Sequence, residues 1–548
     1  MKQFLIITIT LITLTGCSKK VEENLIVEKT PFIWEAANVY FLLTDRFNNA
    51  DASNDINFDR TLETGKLRGF EGGDLKGITQ KIEEGYFTHL GVNAIWMTPI
   101  VEQIHGGTDE GTGFTYAYHG YWTKDWTAID SNFGTKEDLK KLVQTAHKNG
   151  IRILLDAVIN HTGPVTEKDS VWPSSWVRTE PKCTYDSYEN TTTCTLVENL
   201  PDIKTESNET VNLPPQLVKK WKQEGRYNQE IAELDAFFKR TGYPRAPRFY
   251  IIKWLTDYIT EFGIDGYRVD TVKHTEAYVW QEFKTECDYA FETYKKKNPD
   301  KVLDENNFYL VGEVYNYGIN TGKYFDFGDK KVNYFDNAFQ SLINFQFKWN
   351  ASEQNYETLF TNYSNYLNND LKGYGTLNYL SSHDDGQPFD ANRNKPYKTA
   401  TKLLLAPGTS QIYYGDESAR SLIIERTEGD ATLRSNMNWE ELESKEEILL
   451  HWQKLGRFRA KHPAVGAGVH QMISEIPYLF SRSFSKDNFK DLVVVGLDLP
   501  KGEKVLDVSK VFKDGDVLND AYSLKVSTVK KGVITLNTEY DLVLLEKK

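Results

Sequence analysis

The sequence predicts an α/β protein built on a (β/α)8 TIM barrel, with a subdomain inserted after the third strand and an antiparallel β-sandwich at the C-terminus. Three observations lead there. From about residue 35, short β-rich runs alternate with amphipathic helical runs over about 420 residues, the pattern of repeated strand–helix units. Several of the β-rich runs are nearly continuous apolar stretches, as expected of parallel strands covered on both faces. Beyond about residue 465 the helical runs stop, and β-formers alternate with turn residues. A doubly wound sheet is the competing arrangement of the same units. The chain has 548 residues, enough for two to four domains, and its net charge of -13 argues against a nucleic-acid partner.

The first residues read as an export signal. Met1-Lys2 is a short basic start, and Phe4 to Leu14 is an apolar run too short to span a membrane. It ends in Leu14-Thr15-Gly16-Cys17, which resembles a bacterial lipobox. In such signals the cysteine becomes the lipidated N-terminus after cleavage. Residues 1–16 are therefore expected to be removed, Cys17 to be lipidated, and 17–34 to form a polar tether. This implies a bacterial membrane-anchored lipoprotein, expected at the outer membrane and facing the periplasm or the surface. A plain secretory signal is the alternative.

The barrel is expected over 35–161 and 248–464. "NVYFLLTDRF", "VNAIWMTPI", "IRILLDAVIN", "IDGYRVD", "FYLVGEVY", "TLNYLSSHD" and "TSQIYYGDE" read as strands. "KEDLKKLVQTAHKNG" and "FYIIKWLTDYITEFG" have apolar positions at helical spacing and a terminal Gly. Between "DAVINH" and "PRFYIIKWL" lies a long stretch with no clear strand–helix unit, taken as an inserted subdomain over 162–247. Cys183 and Cys194 fall in it, and an exported protein meets oxidising conditions, so a local disulfide is expected. Cys287, in a predicted helix, reads as a lone buried thiol. "DLVVVGLDLP", "KVLDVSKVF" and "GVITLNTEYDLVLLEK" supply strands of the terminal β domain, 465–548.

In a (β/α)8 barrel the active site is built where the strands end. Here "RILLDAVINH" ends in Asp156, Asn160 and His161, and "IDGYRVDTVKH" in Arg268, Asp270, Lys273 and His274. "YLVGEVY" ends in Glu313, and "NYLSSHDD" in His383, Asp384 and Asp385. A solvated rim explains one such end and explains four in succession poorly. Carboxylates from three strands, Asp270, Glu313 and Asp384, suggest glycosidic cleavage. That reaction needs an acid to protonate the leaving oxygen and a carboxylate to meet an oxocarbenium-like centre. Arg268, two residues before Asp270, shares its face of the strand and is placed to orient it. The alternative use of such carboxylates is divalent-metal catalysis.

These stretches resemble the short sequence regions of the α-amylase family, glycoside hydrolase family 13: "DAVINH", "GYRVDTVKH", "GEVY" and "LSSHD" in that order, with "LPDIKTE" at 200–206 resembling the region of its inserted domain. The wording is closest to the periplasmic-type bacterial members. The resemblance implies retaining hydrolysis of α-1,4-glucosidic bonds in starch, glycogen or maltooligosaccharides. Asp270 would be the nucleophile, Glu313 the acid/base and Asp384 the carboxylate that holds and distorts the sugar. His119, His161 and His383 would hydrogen-bond the sugar, with Tyr121 stacking under it and Trp122 nearby. Arg268 would orient Asp270, and Lys273 and His274 would face the leaving group. Each of these side chains also has an ordinary structural role open to it when taken singly.

The resemblance further implies a structural Ca2+ held by Asn160, Asp202 and the carbonyl of His274. A second candidate set is Asn49, Asp51, Asn54, Asp55, Gly72 and Asp74, whose alternative is an Asx-rich turn without an ion. No Cys/His spacing fits zinc. A monomer is expected. Two further readings stay open: another family 13 specificity, such as cyclodextrin or pullulan hydrolysis, maltogenic action or transglycosylation; and a non-catalytic glycan-binding lipoprotein.

Overall fold

Eight short strands close a parallel barrel in this computed structural model, which describes residues 30–548. The export signal and Cys17 lie outside the described residues. The strands are β1 (Asn38–Leu42), β2 (Ala94–Met97), β3 (Arg152–Ala157), β4 (Gly266–Val269), β5 (Tyr309–Gly312), β6 (Ser341–Asn344), β7 (Gly375–Asn378) and β8 (Thr409–Tyr413). They pair in sequence order, and β8 closes on β1 with Asn38 opposite Ser410. Every residue of all eight strands is buried, which is why seven of them read as apolar runs.

The eighth, β6, was not expected. Its sequence is Ser-Leu-Ile-Asn, four residues with polar ends, too short and too mixed to signal a strand. Its ladder on β7 and a buried amide chain make it one: Asn344 Nδ2 donates to Asn378 Oδ1 at 2.8 Å and to Tyr363 Oη at 3.0 Å. The quoted stretches also overrun their strands. β1 ends at Leu42, and Thr44–Phe47 is already a helical turn.

Helices cover the barrel: α1 (Leu75–Glu83), α2 (Lys136–Lys148), α3 (Pro247–Phe262), α4 (Ala277–Lys297), α5 (Tyr356–Asn368), α6 (Pro396–Leu404) and α7 (Glu446–Lys461). A capping box between Thr135 and Asp138 starts α2. Gly263 ends α3 at φ +73, and a Cβ there would meet the Tyr294 ring at 2.1 Å. Only glycine both adopts that conformation and leaves room beside Tyr294, three residues before β4 begins at Gly266.

The chain between β3 and α3 holds more regular structure than its sequence pattern shows. It contains helices at Pro215–Gln223 and Tyr227–Thr241, which bury Leu217, Trp221, Leu234, Phe237 and Phe238. Indoles weld this insertion to the barrel: Trp176 stacks on Trp254 of α3 at 6.1 Å and Trp221 meets Trp254 edge-on at 6.2 Å. Cys183 and Cys194 are disulfide-bonded, and Cys287 is a buried free thiol.

The C-terminal strands are β9 (Val469–Ser474), β10 (Tyr478–Lys486), β11 (Phe489–Leu497), β12 (Gly502–Asp507), β13 (Val517–Asp520), β14 (Val526–Thr528), β15 (Val533–Thr538) and β16 (Val543–Lys547). Six form one antiparallel sheet in the order β9-β10-β11-β16-β13-β14, and β12-β15 form a second. Leu479, Val494, Leu506, Val508, Ile534 and Leu545 share the core between them. Buried Arg459 of α7 and Arg482 of β10 hold the junction with the barrel. Their guanidinium groups donate to backbone carbonyls, including Ala406 at 2.8 Å and Leu405 at 3.1 Å.

Candidate active site

The barrel register brings the charged groups together. Arg268 on β4 lies opposite Asp156 on β3 and Val311 on β5, two residues before Glu313. Its guanidinium serves three carboxylates. Nη1 reaches Asp270 Oδ1 at 2.7 Å and the two oxygens of Asp156 at 3.0 and 3.1 Å; Nη2 reaches Glu313 Oε1 at 2.9 Å. Arg268 is 1% exposed, so this charge is balanced almost entirely by protein groups. Asp156 is itself fixed by the Trp96 indole at 3.1 Å and the Tyr121 hydroxyl at 2.9 Å.

The turn after β4 is strained. Thr271, a β-branched residue, sits at φ +46. That conformation aims its N–H at Glu313 Oε2, 2.9 Å away. Asp384 arrives from the loop beyond β7, six residues past the strand's end, with Ser382 Oγ at 3.2 Å and His383 Nδ1 at 3.7 Å. Its side chain is 38% exposed, against 8% for Asp270 and 9% for Glu313.

These surroundings separate the carboxyl groups. Burial pushes Glu313 up to about 8, with Asp270 and Asp384 adding to the rise and Arg268 opposing it. Burial also raises Asp156, to about 7. Desolvation works to raise Asp384, but His383, Arg268 and Arg434 outweigh it and hold that carboxyl below its ordinary value. Near neutral pH the cluster holds a protonated Glu313 close to Asp270, the pairing that acid-assisted displacement needs.

The histidines are buried and their pKa values fall: His383 and His274 to about 4, with His119 and His161 also lowered, each chiefly by burial. They are neutral imidazoles, able both to donate and to accept. His119 Nδ1 accepts the Tyr121 N–H at 3.0 Å, which leaves the proton on Nε2. The Tyr121 ring stacks near His383 at 5.4 Å, and Trp122 stands edge-on to His119 at 4.7 Å. His119, Tyr121 and Trp122 line a cleft of about 850 Å³ with Arg68, Asp430 and Arg434. His161 is committed to the protein, with Nε2 on the Tyr121 carbonyl at 3.1 Å and Nδ1 on Asn160 at 3.2 Å. Its direct role is to fix Tyr121.

Lys273 and His274 lie in a short helical turn after Thr271. The Lys273 ammonium sits among the rings of Tyr315 (5.1 Å), Phe325 (5.6 Å) and Tyr185 (5.9 Å), and burial lowers its pKa. His274 Nδ1 bonds the Thr191 carbonyl at 3.1 Å, inside the disulfide loop. Sequence reading missed this aromatic surround, Thr271 and Arg434: Thr271 and Tyr315 lie inside the quoted motifs but carry no charge, and Tyr185, Phe325 and Arg434 come from loops distant in sequence.

Asn160, Asp202 and the His274 carbonyl meet. Asn160 Nδ2 lies 2.9 Å from Asp202 Oδ1 and 2.9 Å from the His274 carbonyl. His161 spends its proton on Tyr121, so its Nδ1 requires a donor where Asn160 Oδ1 lies. Turning the Asn160 amide over supplies that donor and leaves three oxygens facing one point, the donor set of a hard cation. Asp202 is fully buried, and its Oδ2 contacts Arg178 Nε at 2.8 Å without hydrogen-bond alignment. These residues fit Ca2+. The second set fits less well. Asp74 Oδ1 accepts the Gly77 N–H and Oδ2 the Ala50 and Asp51 N–H groups, while Asp51 pairs with Lys76 at 2.5 Å. Asn49 and Asp55 bond each other at 2.8 Å across Gly72, and Asn54 Oδ1 is buried without a partner. Protein donors therefore already serve its Asp51 and Asp74.

The family model for the α-amylase catalytic domain matches residues 41–465. The chain belongs to the α-amylase family. It is a glycoside hydrolase of the α-amylase type. It is 36% identical to the periplasmic α-amylase of Escherichia coli K12 over 499 residues, covering 80% of this chain and 69% of that one. It is 28% identical to a cyclomaltodextrin glucanotransferase of Bacillus sp. strain 6.6.3, covering 82% of this chain and 57% of the other. The crystal structure of an Anoxybacillus α-amylase superposes with a TM-score of 0.64 at 24% identity, covering 94% of this chain and 99% of that one, a likeness of fold.

Proposed function

We propose that the chain hydrolyses internal α-1,4-glucosidic bonds of starch, glycogen or maltooligosaccharides by double displacement, with retention at the anomeric carbon. One observation carries this: a single guanidinium, Arg268, contacts both Asp270 and Glu313, with Asp384 at the same barrel mouth. Carboxyl groups held this close suit a retaining pair rather than an inverting one, which needs room for a water between them.

Asp270 attacks the anomeric carbon as the glycosidic bond breaks, and Glu313 delivers its proton to the departing oxygen. A water then adds to the same carbon, gives its proton to Glu313 and releases Asp270. Asp384 holds the ring that becomes oxocarbenium-like. Tyr121 stacks beneath it, His119 and His383 hydrogen-bond it, and His161 and Asp156 keep Tyr121 and Arg268 in place. Lys273 and His274 face the leaving group. Asn160, Asp202 and the His274 carbonyl would hold Ca2+, whose charge stabilises the junction of insertion and barrel.

A transglycosylating variant has specific support in the glucanotransferase relative. It differs only in whether a sugar hydroxyl or water resolves the glycosyl-enzyme. Outside the cytoplasm, a lipidated Cys17 would anchor the enzyme to a membrane; the relative named periplasmic and the disulfide support export. No described helix is long and apolar enough to cross a membrane.

Given amylose, the wild type should release short oligosaccharides in the α configuration. Asp270→Asn, folded to the same melting temperature, should lose at least about three orders of magnitude in rate. A fully active Asp270→Asn enzyme would refute the assignment.

A further inference from the structure

A second cleft, of about 690 Å³, opens beside the catalytic carboxylates. It lies between the loops that follow β5, β6 and β7, and Asp384 forms part of its wall. It shares no lining residue with the cleft of His119 and Trp122. The two clefts therefore flank one reaction centre.

Two exposed aromatic residues line this cleft. All twelve tryptophans fall among the described residues, and only Trp349 is exposed, at 46%. It projects from the helical turn after β6 (Phe347–Glu353). Tyr315, 52% exposed, lines the same cleft from the loop after β5. An indole left in water costs apolar burial, and a fold that keeps its other eleven indoles buried or half-buried has a use for this one.

The polar groups narrow the ligand class. Besides Asp384, the only charged residues lining the cleft are Lys348 and Asp385. They pair with each other, and the Tyr379 hydroxyl donates to Asp385 at 2.7 Å. The remaining polar lining is mostly side-chain amides, and Gln346 Oε1 is buried with no hydrogen-bond partner. A flat exposed ring, an unfilled acceptor and an internally neutralised charge pair suit a neutral polyhydroxylated ring: apolar C–H faces for the indole and hydroxyl donors for the amide oxygen.

Building on the proposed glucanase activity, we propose that this cleft is a glucosyl-binding subsite with Trp349 as its stacking platform. It prolongs the substrate groove on the Asp384 side and sets the enzyme's preference for longer chains. Trp349 is then a specificity-determining residue, outside the chemistry itself.

The test compares wild type and Trp349→Ala on maltoheptaose and on an aryl α-maltoside too short to span both clefts. Trp349→Ala should keep its melting temperature, because the ring is exposed. Its kcat/KM for maltoheptaose should fall roughly three- to tenfold, through KM, the range expected for losing one aromatic stacking contact. Its kcat/KM for the maltoside should stay within twofold. Affinity for maltoheptaose, measured by calorimetry in inactive Glu313→Gln protein, should fall by the same factor when Trp349 is also replaced. No loss on maltoheptaose, or an equal loss on both substrates, would overturn the subsite. An inactive Asp270→Asn control run in parallel would confine that failure to the subsite; an active one would extend it to the glucanase reading.

Discussion

Arg268 fixes the protonation pattern of the site because its one charge is shared among Asp156, Asp270 and Glu313. Three buried carboxyl groups around one cation cannot all ionise at ordinary cost, and Glu313, pushed up to about 8 chiefly by burial, keeps its proton. Protonated Glu313 is the active form of the acid. The alkaline limb of kcat/KM against pH should therefore fall near 8, with activity held below and lost above, and it should disappear with Glu313→Gln at a low residual rate. A limb near the ordinary glutamate value of 4.5 would contradict this. The sequence made Arg268, Asp270, Glu313 and Asp384 legible, because an apolar strand gains nothing by ending in charge unless a site lies there. Thr271 and the rings around Lys273 were illegible. Their importance depends on a backbone torsion and on loops that meet only in space.

Elements were legible wherever burial dictated composition. Seven barrel strands, helices α2 and α3 and the terminal strands announce themselves by apolar period; β6 and the two insertion helices do not, because each is held mainly by neighbours. The junction of α7 with the β domain shows what such neighbours do. His462, just past α7, bonds Asp491 of β11 at 2.7 Å and Glu546 of β16 at 2.6 Å. Burial works against its protonation, but the two carboxylates outweigh burial and raise its pKa above 6.5. A raised histidine pKa contributes stability that is complete below the unfolded value and is lost as pH climbs through the folded one. The melting temperature of His462→Gln should therefore lie furthest below wild type near pH 6, with the gap narrowing as pH rises into the alkaline range. A gap that ignores pH would rule out this linkage.

At the scale of the molecule, the proposed calcium set ties three parts of the chain: Asn160 beyond β3, Asp202 in the insertion and His274 in the turn that follows Asp270. Removing the ion should loosen the insertion and the leaving-group side together. Exhaustive EDTA treatment should lower the melting temperature on the order of 5 °C and reduce activity in parallel, with added Ca2+ restoring both. Activity unchanged in verified calcium-free protein would exclude the role. Barrel and β domain were legible from their periodicity, and the insertion from a long interruption of it. The family resemblance brought Asp202 of the insertion to His274, but the Thr191–His274 contact, which joins residues 83 apart in sequence, had no signal. In the proposed reaction Asp270 bonds covalently to the sugar while Glu313 manages the proton. An α-glucosyl fluoride needs no acid to expel fluoride, so Glu313→Gln should form the glycosyl-enzyme from it yet hydrolyse it slowly. Peptide mass spectrometry should then find one hexosyl unit on the peptide containing Asp270; fluoride release with no adduct, or an adduct on another carboxylate, would contradict the account.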